Sequence, residues 1–240
     1  MPSSTIPDFV SGRRDVLADL SFDHLRPSIK AVAFDLDGTL CDSIMQIVLC
    51  TRLSFEAMGL PQPEENAIKG MIGKRLQEGL TSLLAEDQKH LGEELTRIYR
   101  ERFAEVDEIK ETRLFPWVGD LLLHLKSRGL KIAYASGKST RGIQRSLEES
   151  ILGDYCDAMC AGDEVPSKPH PAMAVITARR LGLEPYQVLG VGDAGMDVQL
   201  FQNAHCASCG VQSGVWSGDA LVKLQPNLLL PHAGHLRDFL

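Results

Sequence analysis

The stretch Phe34-Asp35-Leu36-Asp37-Gly38-Thr39-Leu40 follows directly on the apolar run Ala31-Val32-Ala33. Strands of a parallel sheet that is covered on both faces read as continuous apolar runs, and ligands gather beyond their carboxyl ends. Two carboxylates, Asp35 and Asp37, are costly to place at the end of a buried strand, so they indicate a metal ion and a phosphoryl group that receive them. The stretch therefore predicts an α/β fold with a functional site at the end of its first core strand.

Each residue of this turn has an expected task. A carboxylate can attack phosphorus and form an aspartyl phosphate, which makes Asp35 the candidate nucleophile. Because a dianionic phosphate ester repels a carboxylate, a hard divalent cation such as Mg²⁺ is needed to screen the charge. Asp37, on the other side of the turn, could protonate the leaving oxygen and later take a proton from water. Gly38 lets the backbone reverse, and Thr39 can fix the turn through its hydroxyl. Taken alone, the motif fits an Asx-rich loop before a helix equally well.

Three further segments carry polar residues that suit the same chemistry. They are Ser136-Gly137-Lys138-Ser139-Thr140 after the apolar run 130–135, the segment 163–171 with Lys168 between prolines, and Gly192-Asp193-Ala194-Gly195-Met196-Asp197 after the apolar run 188–191. A hydroxyl and free backbone amides at the turn into a helix suit phosphate oxygens. Lys168 could neutralise both the phosphate and Asp35, and Asp193 is the natural second metal ligand. These segments favour the functional interpretation of the first turn.

Together and in this order, the segments resemble those of the haloacid dehalogenase superfamily of phosphohydrolases, in particular the branch that contains phosphoglycolate phosphatase and β-phosphoglucomutase. The resemblance spans all four family motifs and most of residues 30–215. It implies a Rossmann-like doubly wound parallel sheet with an inserted α-helical cap domain. The roles that it implies are nucleophile for Asp35, acid/base for Asp37, phosphate binding for Ser136, motif lysine for Lys168, magnesium binding for Asp35, Asp193 and the Asp37 carbonyl, and an outer-shell position or a partnership with Lys168 for Asp197.

The chain departs from the common family pattern at two positions. Asparagine is frequent in the family at the position of Gly137, and glycine is usual at the position of His205. Neither departure removes a chemical group that the mechanism requires.

The periodicity of apolar residues divides the chain into three parts. Residues 1–29 form an N-terminal extension, in which Val16, Leu17, Leu20, Phe22 and Leu25 predict a short amphipathic helix that packs on the core or, alternatively, docks a partner. Residues 30–42 and 115–240 form the α/β core. Between them, residues 43–114 read as a helical cap, with apolar residues at helical spacing over 44–58, 76–84 and 91–109. The resembled branch has the same arrangement.

A cap would exclude bulk water and present side chains that select the substrate. Lys74 and Arg75 are the candidate contacts, because a glycine-hinged loop that carries cations could grip an acidic substrate. A solvated helix start is an equally good interpretation of these two residues. In the core, Thr39, Gly137 and Lys138 are further candidates for substrate binding.

Composition fits an enzyme that acts on a small molecule. With 44% hydrophobic and 24% charged residues among 240, the chain can form one sizeable core and a smaller second one. The net charge of −7 argues against a general nucleic-acid binder. No apolar run approaches the roughly 20 residues that span a bilayer. The six cysteines, without a secretory segment, predict reduced thiols in the cytoplasm. We expect a small phosphorylated metabolite as partner, no nucleic acid and no membrane; the sequence assigns no oligomeric state.

Two other patterns compete with this interpretation. Gly190, Gly192 and Gly195 fit the dinucleotide-binding motif G-x-G-x-x-G, but Asp193 inside that turn would face the pyrophosphate. Cys206 and Cys209 lie upstream of His232 and His235 and could hold zinc, although the spacing is longer than in a zinc finger. Small cysteines that fill a buried strand explain the first pair better.

The sequence thus predicts a magnesium-dependent phosphatase that acts on a small phosphomonoester, phosphoglycolate-like or a sugar phosphate. The carboxylate of Asp37 argues against a dehalogenase, whose leaving group needs no acid. Mutases of the resembled branch carry a histidine in the first cap helix, and residues 44–58 contain none. A phosphosugar mutase remains an alternative, since the Ser136 segment also matches that branch. A non-catalytic binding protein is another, although a cluster of ionised groups would be costly in a mere scaffold.

Overall fold

The computed structural model describes residues 17–18, 21–106 and 113–240. The strands in these residues are β1 Leu17–Ala18, β2 Ala31–Phe34, β3 Lys131–Ser136, β4 Ala158–Ala161, β5 Val188–Gly192, β6 Ala207–Val211 and β7 Leu228–Leu230. The α-helices are α1 Ser21–Leu25, α2 Ile44–Ala57, α3 Glu65–Met71, α4 Leu76–Ser82, α5 Gly92–Val106, α6 Val118–Ser127, α7 Thr140–Glu148, α8 Ala172–Leu181, α9 Gly195–Asn203 and α10 Gly218–Val222. None of the described helices has the length and apolar character that crossing a membrane requires.

One sheet organises the core, with the strand order β1-β7-β6-β5-β2-β3-β4. Strands β2 to β7 are parallel, and only the short β1 runs antiparallel. The strand that precedes the Asp35 turn lies in the middle, so that Phe34 aligns with Tyr134 of β3 on one side and Val191 of β5 on the other. The predicted parallel α/β fold is therefore confirmed.

The central strand shows why helices cover both faces of the sheet. Its side chains alternate: Ala31 and Ala33 face a cluster that includes residues of α8 and α9, whereas Val32 and Phe34 face a cluster that includes residues of α6. All four residues are fully buried. Because a strand that is buried on both faces needs no polar residue, its sequence is a continuous apolar run that ends where the site begins. This is the doubly wound arrangement that the sequence predicted.

Helices α2 to α5 form a helical segment with its own hydrophobic cluster. Its fully buried members include Ile68, Leu80 and Leu95, and α2 and α5 fall within the predicted helical spans 44–58 and 91–109 over the described residues. Residues 107–112, at the end of the predicted cap, lie outside the described residues. We propose that residues 43–114 act as a cap domain on the core.

The two connections of this segment to the core lie side by side. The amide of Asp42 donates to the Arg113 carbonyl over 2.9 Å, and the amide of Phe115 donates to the Leu40 carbonyl over 3.0 Å. The two stretches of chain that connect the helical segment to the core are therefore hydrogen-bonded to each other, next to the Asp35 turn. Movement of the proposed cap about this point would be felt directly at that turn.

The N-terminal extension differs from the prediction. Leu17–Ala18 is a strand that pairs antiparallel with β7, and the helix is confined to Ser21–Leu25, so the expectation of one helix through Leu17 is wrong. Val16 and Leu20 lie outside the described residues. Without β1, the outer edge of β7 would leave backbone groups unpaired, and pairing with them outweighs the helical periodicity. Phe22 of α1 is buried and meets Phe239 edge to face at 6.4 Å.

Candidate active site

The carboxyl ends of four neighbouring strands bring the predicted residues together. Asp35 follows β2, Ser136 ends β3, Asp193 follows β5, and Lys168 lies in the loop between β4 and α8. Each of these polar side chains is buried, with at most 4% of the residue exposed. Because parallel strands end at the same edge of a sheet, residues that are far apart in sequence meet in one crevice. The sequence analysis predicted this meeting from the motif order.

Lys168 joins the first and last motifs. Its ammonium donates to Asp35 Oδ1 over 2.6 Å and to Asp197 Oδ1 over 2.7 Å. The other oxygen of Asp197 accepts from the Ala194 amide over 3.0 Å, and the Asp35 amide donates to the Val191 carbonyl over 2.9 Å. The lysine thus fixes one oxygen of Asp35, while no described residue hydrogen-bonds to Asp35 Oδ2. If Asp35 is the nucleophile that the sequence predicts, Oδ2 is the oxygen free to react.

Asp193 is held on both carboxylate oxygens. Thr39 donates its hydroxyl to Oδ1 over 2.9 Å, and the amide of Val215 donates to Oδ2 over 2.8 Å. Gly38 is required beside it for two reasons: its φ is +81°, and a Cβ there would lie 2.6 Å from Asp193 Oδ2. Thr39, which the sequence analysis placed among the substrate-binding candidates, therefore orients Asp193 in this structure.

Three carboxylates converge on a space that suits a cation. Oxygens of Asp35, Asp193 and Asp197 all lie within 4.8 Å of one another. The three carry one ammonium between them, that of Lys168, so two negative charges would stay unbalanced if every group were ionised. An all-oxygen donor set with this excess charge fits a hard divalent ion. The side chain of Asp37 is outside this group, and the resemblance assigns only its carbonyl to the metal.

Burial and the neighbouring charges shift the pKa values of the ionisable groups in this site. Burial raises the pKa of Asp35 to about 7, with Asp197 and Asp37 acting in the same direction and Lys168 against it. Burial also raises the pKa of Asp193 well above its ordinary value, with contributions from Asp197 and Asp35. For Lys168, burial opposes the charged form, but Asp197 and Asp35 outweigh it and raise its pKa. A bound divalent cation would favour the ionised carboxylates and so oppose the rise in their pKa values.

Asp37 lies on the other side of the turn and has separate partners. Its Oδ1 accepts from the hydroxyl of Ser43 over 2.6 Å and lies 2.9 Å from the ammonium of Lys138. Sequence reasoning missed Ser43, which directly precedes α2 and therefore reads as an N-cap. In the structure its side chain makes no cap hydrogen bond and serves Asp37 instead. The position of a serine before a helix predicts only the N-cap role, so its contact with Asp37 had no signal in the sequence.

Ser136 ends β3, and Gly137 begins the turn that follows it. The Ser136 hydroxyl oxygen accepts weakly from the Lys138 amide over 3.3 Å, which leaves its proton free to donate to phosphate. At Gly137 a Cβ would lie 2.4 Å from the Gly73 carbonyl oxygen and 2.5 Å from that of Lys74. The proposed cap therefore rests on the backbone of this turn. The departure from the family's frequent asparagine at Gly137 has a steric reason.

The two cations predicted on the cap have different surroundings. Arg75 donates from Nε to the Gly162 carbonyl over 2.9 Å and from Nη2 to the Val165 carbonyl over 2.8 Å, both in the core loop that leads to Lys168. For Lys74, the described residues offer its ammonium no hydrogen bond or ion pair. Substrate binding by Lys74 stays a prediction. The contacts of Arg75 join the helical segment to the core, in addition to the substrate binding that the sequence predicted for this residue.

A loop after β6 contributes contacts that the sequence analysis missed. Ser213 donates its hydroxyl to the Gly38 carbonyl over 2.8 Å, and Val215 holds Asp193 through its amide. The side chain of Val215 packs against the hydrophobic cluster of the helical segment. The signal was available, because the loop follows a buried parallel strand whose carboxyl end reaches the same edge of the sheet.

The cysteine and histidine pairs do not form a zinc site. Within the described part of the chain, the three aspartates named above are the only group of three or more such side chains that converge enough for a metal ion. Cys206 and Cys209 are buried, Cys209 inside β6 and Cys206 just before it. His232 stacks on Trp117 at 4.8 Å and meets His235 at 4.2 Å. Packing accounts for both pairs.

Comparison with known proteins tests the resemblance. The model of the haloacid dehalogenase-like hydrolase family matches residues 32–211. The chain belongs to this family. All residues of the site described above fall within that range, apart from the loop at 213–216. Because the family is one of hydrolases, the protein is an enzyme. The predicted membership is confirmed.

Individual relatives narrow the comparison. The phosphoglycolate phosphatase of Escherichia coli (strain K12) is 33% identical over 223 residues, which cover 84% of this chain and 88% of the relative. Among solved structures, a predicted phosphoglycolate phosphatase from Haemophilus somnus 129PT superposes with a TM-score of 0.76 at 26% identity, covering 88% of this chain and 98% of that one. The β-phosphoglucomutase of Clostridium difficile reaches a TM-score of 0.73 at 21% identity, covering 87% and 93%, and shows a shared fold alone.

Proposed function

We propose that this haloacid dehalogenase-like hydrolase is a magnesium-dependent phosphatase that hydrolyses a small phosphomonoester through an aspartyl phosphate on Asp35. One observation carries the proposal. At the end of the central strand, Asp35 has one oxygen fixed by Lys168 and one without a partner among the described residues, and Asp37 lies two residues on with separate donors. This arrangement separates a nucleophile from a proton carrier within one turn.

In the first step the free oxygen of Asp35 attacks phosphorus. The bond between phosphorus and the ester oxygen breaks, and Asp37 gives its proton to that oxygen, so the alcohol leaves neutral. Ser136 and the backbone amides after it would bind the phosphoryl oxygens, and Lys168 balances part of the charge on them. The nucleophile and its lysine are fully enclosed, which strengthens these interactions.

In the second step water attacks the phosphorus of the aspartyl phosphate. Asp37, now ionised, takes the proton of the water, the bond between phosphorus and Asp35 breaks, and inorganic phosphate leaves. Mg²⁺ held by Asp35, Asp193 and the Asp37 carbonyl would screen the negative charges of carboxylate and phosphate from each other. The donor set described above supports this assignment, with Asp197 engaged by Lys168 beside it.

The substrate class we propose is a short phosphorylated acid such as phosphoglycolate. Its support is the similarity to the phosphoglycolate phosphatase of Escherichia coli over 84% of the chain. The ammonium of Lys74, which has no partner among the described residues, could pair with a substrate carboxylate. A cytoplasmic location stays a prediction, supported by the free thiol state of all six cysteines.

The decisive experiment is a panel of phosphate esters with Mg²⁺, run with the wild type and Asp35→Asn. We expect phosphoglycolate or another small ester to be hydrolysed and the variant to lose activity while it still unfolds cooperatively. Asp154→Asn, at an exposed residue outside the site, is the matched control and should retain full activity. Mass spectrometry of the quenched wild-type reaction should show a phosphorylated peptide at Asp35. Turnover by Asp35→Asn would refute the mechanism.

The same panel separates the alternatives. Interconversion of sugar phosphate isomers without release of inorganic phosphate would identify a mutase, which shares the fold and the Ser136 segment but has a histidine that 44–58 lacks. If the wild type hydrolyses no ester in the panel with Mg²⁺, the binding protein is the better interpretation.

A further inference from the structure

The ammonium of Lys138 lies between the core and the helical segment. It is 2.9 Å from Asp37 Oδ1 in the core and 5.8 Å from the ring centroid of Phe103 on α5. The side chain of Lys138 is 20% exposed and that of Asp37 is 12% exposed, so water screens their contact weakly. A cation in this position touches the proposed proton carrier and the proposed cap at the same time.

Asp37 is restrained through one oxygen only. Both the hydroxyl of Ser43, at 2.6 Å, and the ammonium of Lys138 address Oδ1. None of the described residues donates to Oδ2. Two donors on one oxygen fix the rotation of the carboxylate, and the other oxygen is left to exchange a proton with the leaving group or with water. Ser43 directly precedes α2, whereas Lys138 comes from the turn after β3, so the two donors approach from different loops.

The helical segment meets Lys138 through Phe103 and packs on the neighbouring Gly137. Phe103 and Tyr99 lie one turn apart on α5 with their rings 5.9 Å apart, and the carbonyl of Gly73 packs on Gly137, the residue before Lys138. An aromatic face attracts an ammonium, and the attraction grows when water is excluded. Because Phe103 belongs to α5, its contact with Lys138 depends on the position of the cap relative to the core.

We propose that Lys138 is a positioning residue, which holds the acid/base carboxylate of Asp37 through Oδ1 and is itself held by Phe103, so that closure of the cap completes the proton-transfer geometry. The inference rests on the proposed function and deepens it. It assigns Lys138 a task different from the substrate binding that the sequence predicted. It also gives Phe103 a task in the reaction, although the ring touches no reacting atom.

The chemistry of the two steps shows what loss of Lys138 would do. An alkyl phosphate needs the proton of Asp37 when its phosphorus–oxygen bond breaks, whereas p-nitrophenyl phosphate releases a stable anion and needs none. Hydrolysis of the aspartyl phosphate needs Asp37 to accept a proton from water, whichever ester formed it. A misplaced Asp37 therefore slows both steps for an alkyl ester but only the second step for the aryl ester.

The test compares Lys138→Met, Lys138→Arg and Phe103→Leu with the wild type. Lys126→Met is the matched control, because Lys126 also pairs with an aspartate, Asp157, but lies on α6 outside the site. The measurements are kcat and KM for the best alkyl phosphate, inhibition by inorganic phosphate, and the pre-steady-state release of nitrophenolate from p-nitrophenyl phosphate.

For Lys138→Met we expect kcat to fall about 100-fold, the usual cost of a mispositioned acid–base group, with KM and phosphate inhibition changed less than about threefold. Nitrophenolate should appear in a burst of about one equivalent per active site, followed by slow turnover. Lys138→Arg should recover most of kcat, and Phe103→Leu should lower it about three- to tenfold. Lys126→Met should match the wild type.

Other results would overturn the inference. A rise in KM and in the phosphate inhibition constant of tenfold or more with kcat unchanged would show that Lys138 binds substrate. Wild-type kinetics in Lys138→Met would show that the ion pair has no function. Phe103→Leu leaves the core intact, so unchanged kcat in that variant would refute the coupling to the cap even if Lys138→Met folds poorly. If the wild type hydrolyses no ester at all, the proposed function fails, and this inference fails with it.

Discussion

The contact between the cap loop and Gly137 allows the effect of a single methyl group to be worked out. Gly137→Ala adds a Cβ that would lie 2.4 Å from the carbonyl oxygen of Gly73 and 2.5 Å from that of Lys74. Ordinary contacts between an aliphatic carbon and a carbonyl oxygen are about 3.3 Å or longer. The cap loop would therefore have to lie about 0.8–0.9 Å farther from Gly137 than it does in this structure.

The cost falls on closure and not on folding of the core. Forcing an extra methyl group into a packed contact costs about 1–3 kcal/mol. Since the opposing atoms belong to the helical segment and the core, the protein can relieve the clash by opening, and the ratio of closed to open forms should fall about 5- to 150-fold. If closure precedes chemistry, kcat/KM falls by the same factor. The larger asparagine of other family members should cost at least as much at Gly137.

The assay is kcat/KM for the best substrate of the panel, together with thermal unfolding and hydrogen–deuterium exchange of residues 71–75. We expect faster exchange in this loop and little change in the unfolding of the core. Gly70→Ala is the matched control: Gly70 lies in α3, and a Cβ there meets no atom within 4 Å. It should keep its activity and gain about 0.5–1 kcal/mol of stability from reduced backbone freedom. Wild-type kcat/KM and exchange in Gly137→Ala would refute the reasoning.

Three further predictions concern strain, protons and the second cap cation. His205 has a φ of +60°, so His205→Gly should raise the free energy of unfolding by about 0.5–1.5 kcal/mol in denaturant titrations, whereas His205→Ala, which keeps the strain, should give no gain. The pKa of Asp35 is raised from 3.8 to about 7, so the folded protein binds more protons than the unfolded chain between these values, and metal-free stability should fall as pH rises through that window. Thermal unfolding with a chelator should show this fall, and Mg²⁺ should suppress it. An unfolding temperature that changes neither with pH nor with Mg²⁺ would contradict the prediction. Arg75→Lys, which cannot serve two carbonyls with one planar fork, should lower kcat/KM about tenfold, whereas a rise in KM alone would favour a grip on substrate.

The core and the sheet edge that carries the candidate site were predictable because each local signal agrees with the fold. The run before Asp35 is apolar on both faces, and its neighbours before Ser136 and Asp193 are apolar in the same way. Parallel strands that are buried on both faces leave only their ends for polar residues, so consecutive motifs meet at one edge. The positive φ of His205 explains in the same manner why the family usually has glycine there.

The contacts across the cleft could not be predicted, because their partners are mostly backbone atoms. Arg75 reaches the carbonyls of Gly162 and Val165, and every residue type offers a carbonyl. The position of the loop after β6 was predictable, but the contact of the Val215 amide with Asp193 was not, because a backbone amide leaves no mark on the residue type. The N-terminal strand escaped prediction for a related reason, since the free backbone of β7 accepts any chain that can extend along it.

The glycines of β5, Gly190 and Gly192, show how one pattern serves two chemistries. In a dinucleotide site, such glycines admit a pyrophosphate. Here a Cβ at Gly190 would lie 1.8 Å from the ring of Phe201, and one at Gly192 would lie 2.2 Å from the Cβ of Asp197. Glycine therefore lets α9 approach the sheet closely enough for Asp197 to reach Lys168. In both cases the glycines indicate that another group lies close to the backbone. Whether that group is a ligand or a helix has to be inferred from other residues of the chain.

Catalysis and substrate selection are less separable than a division into core and cap suggests. The carboxylate of Asp193 is oriented by Val215, whose side chain packs on the hydrophobic cluster of the cap. The carboxylate of Asp37 is oriented by Lys138, which Phe103 of the cap covers. Displacing the proposed cap would thus loosen the proposed metal ligand and the proposed proton carrier together. A substitution in the proposed cap that alters substrate selection would therefore also alter the rate of the chemical steps. Both depend on the contacts that the proposed cap makes with the core when it is closed.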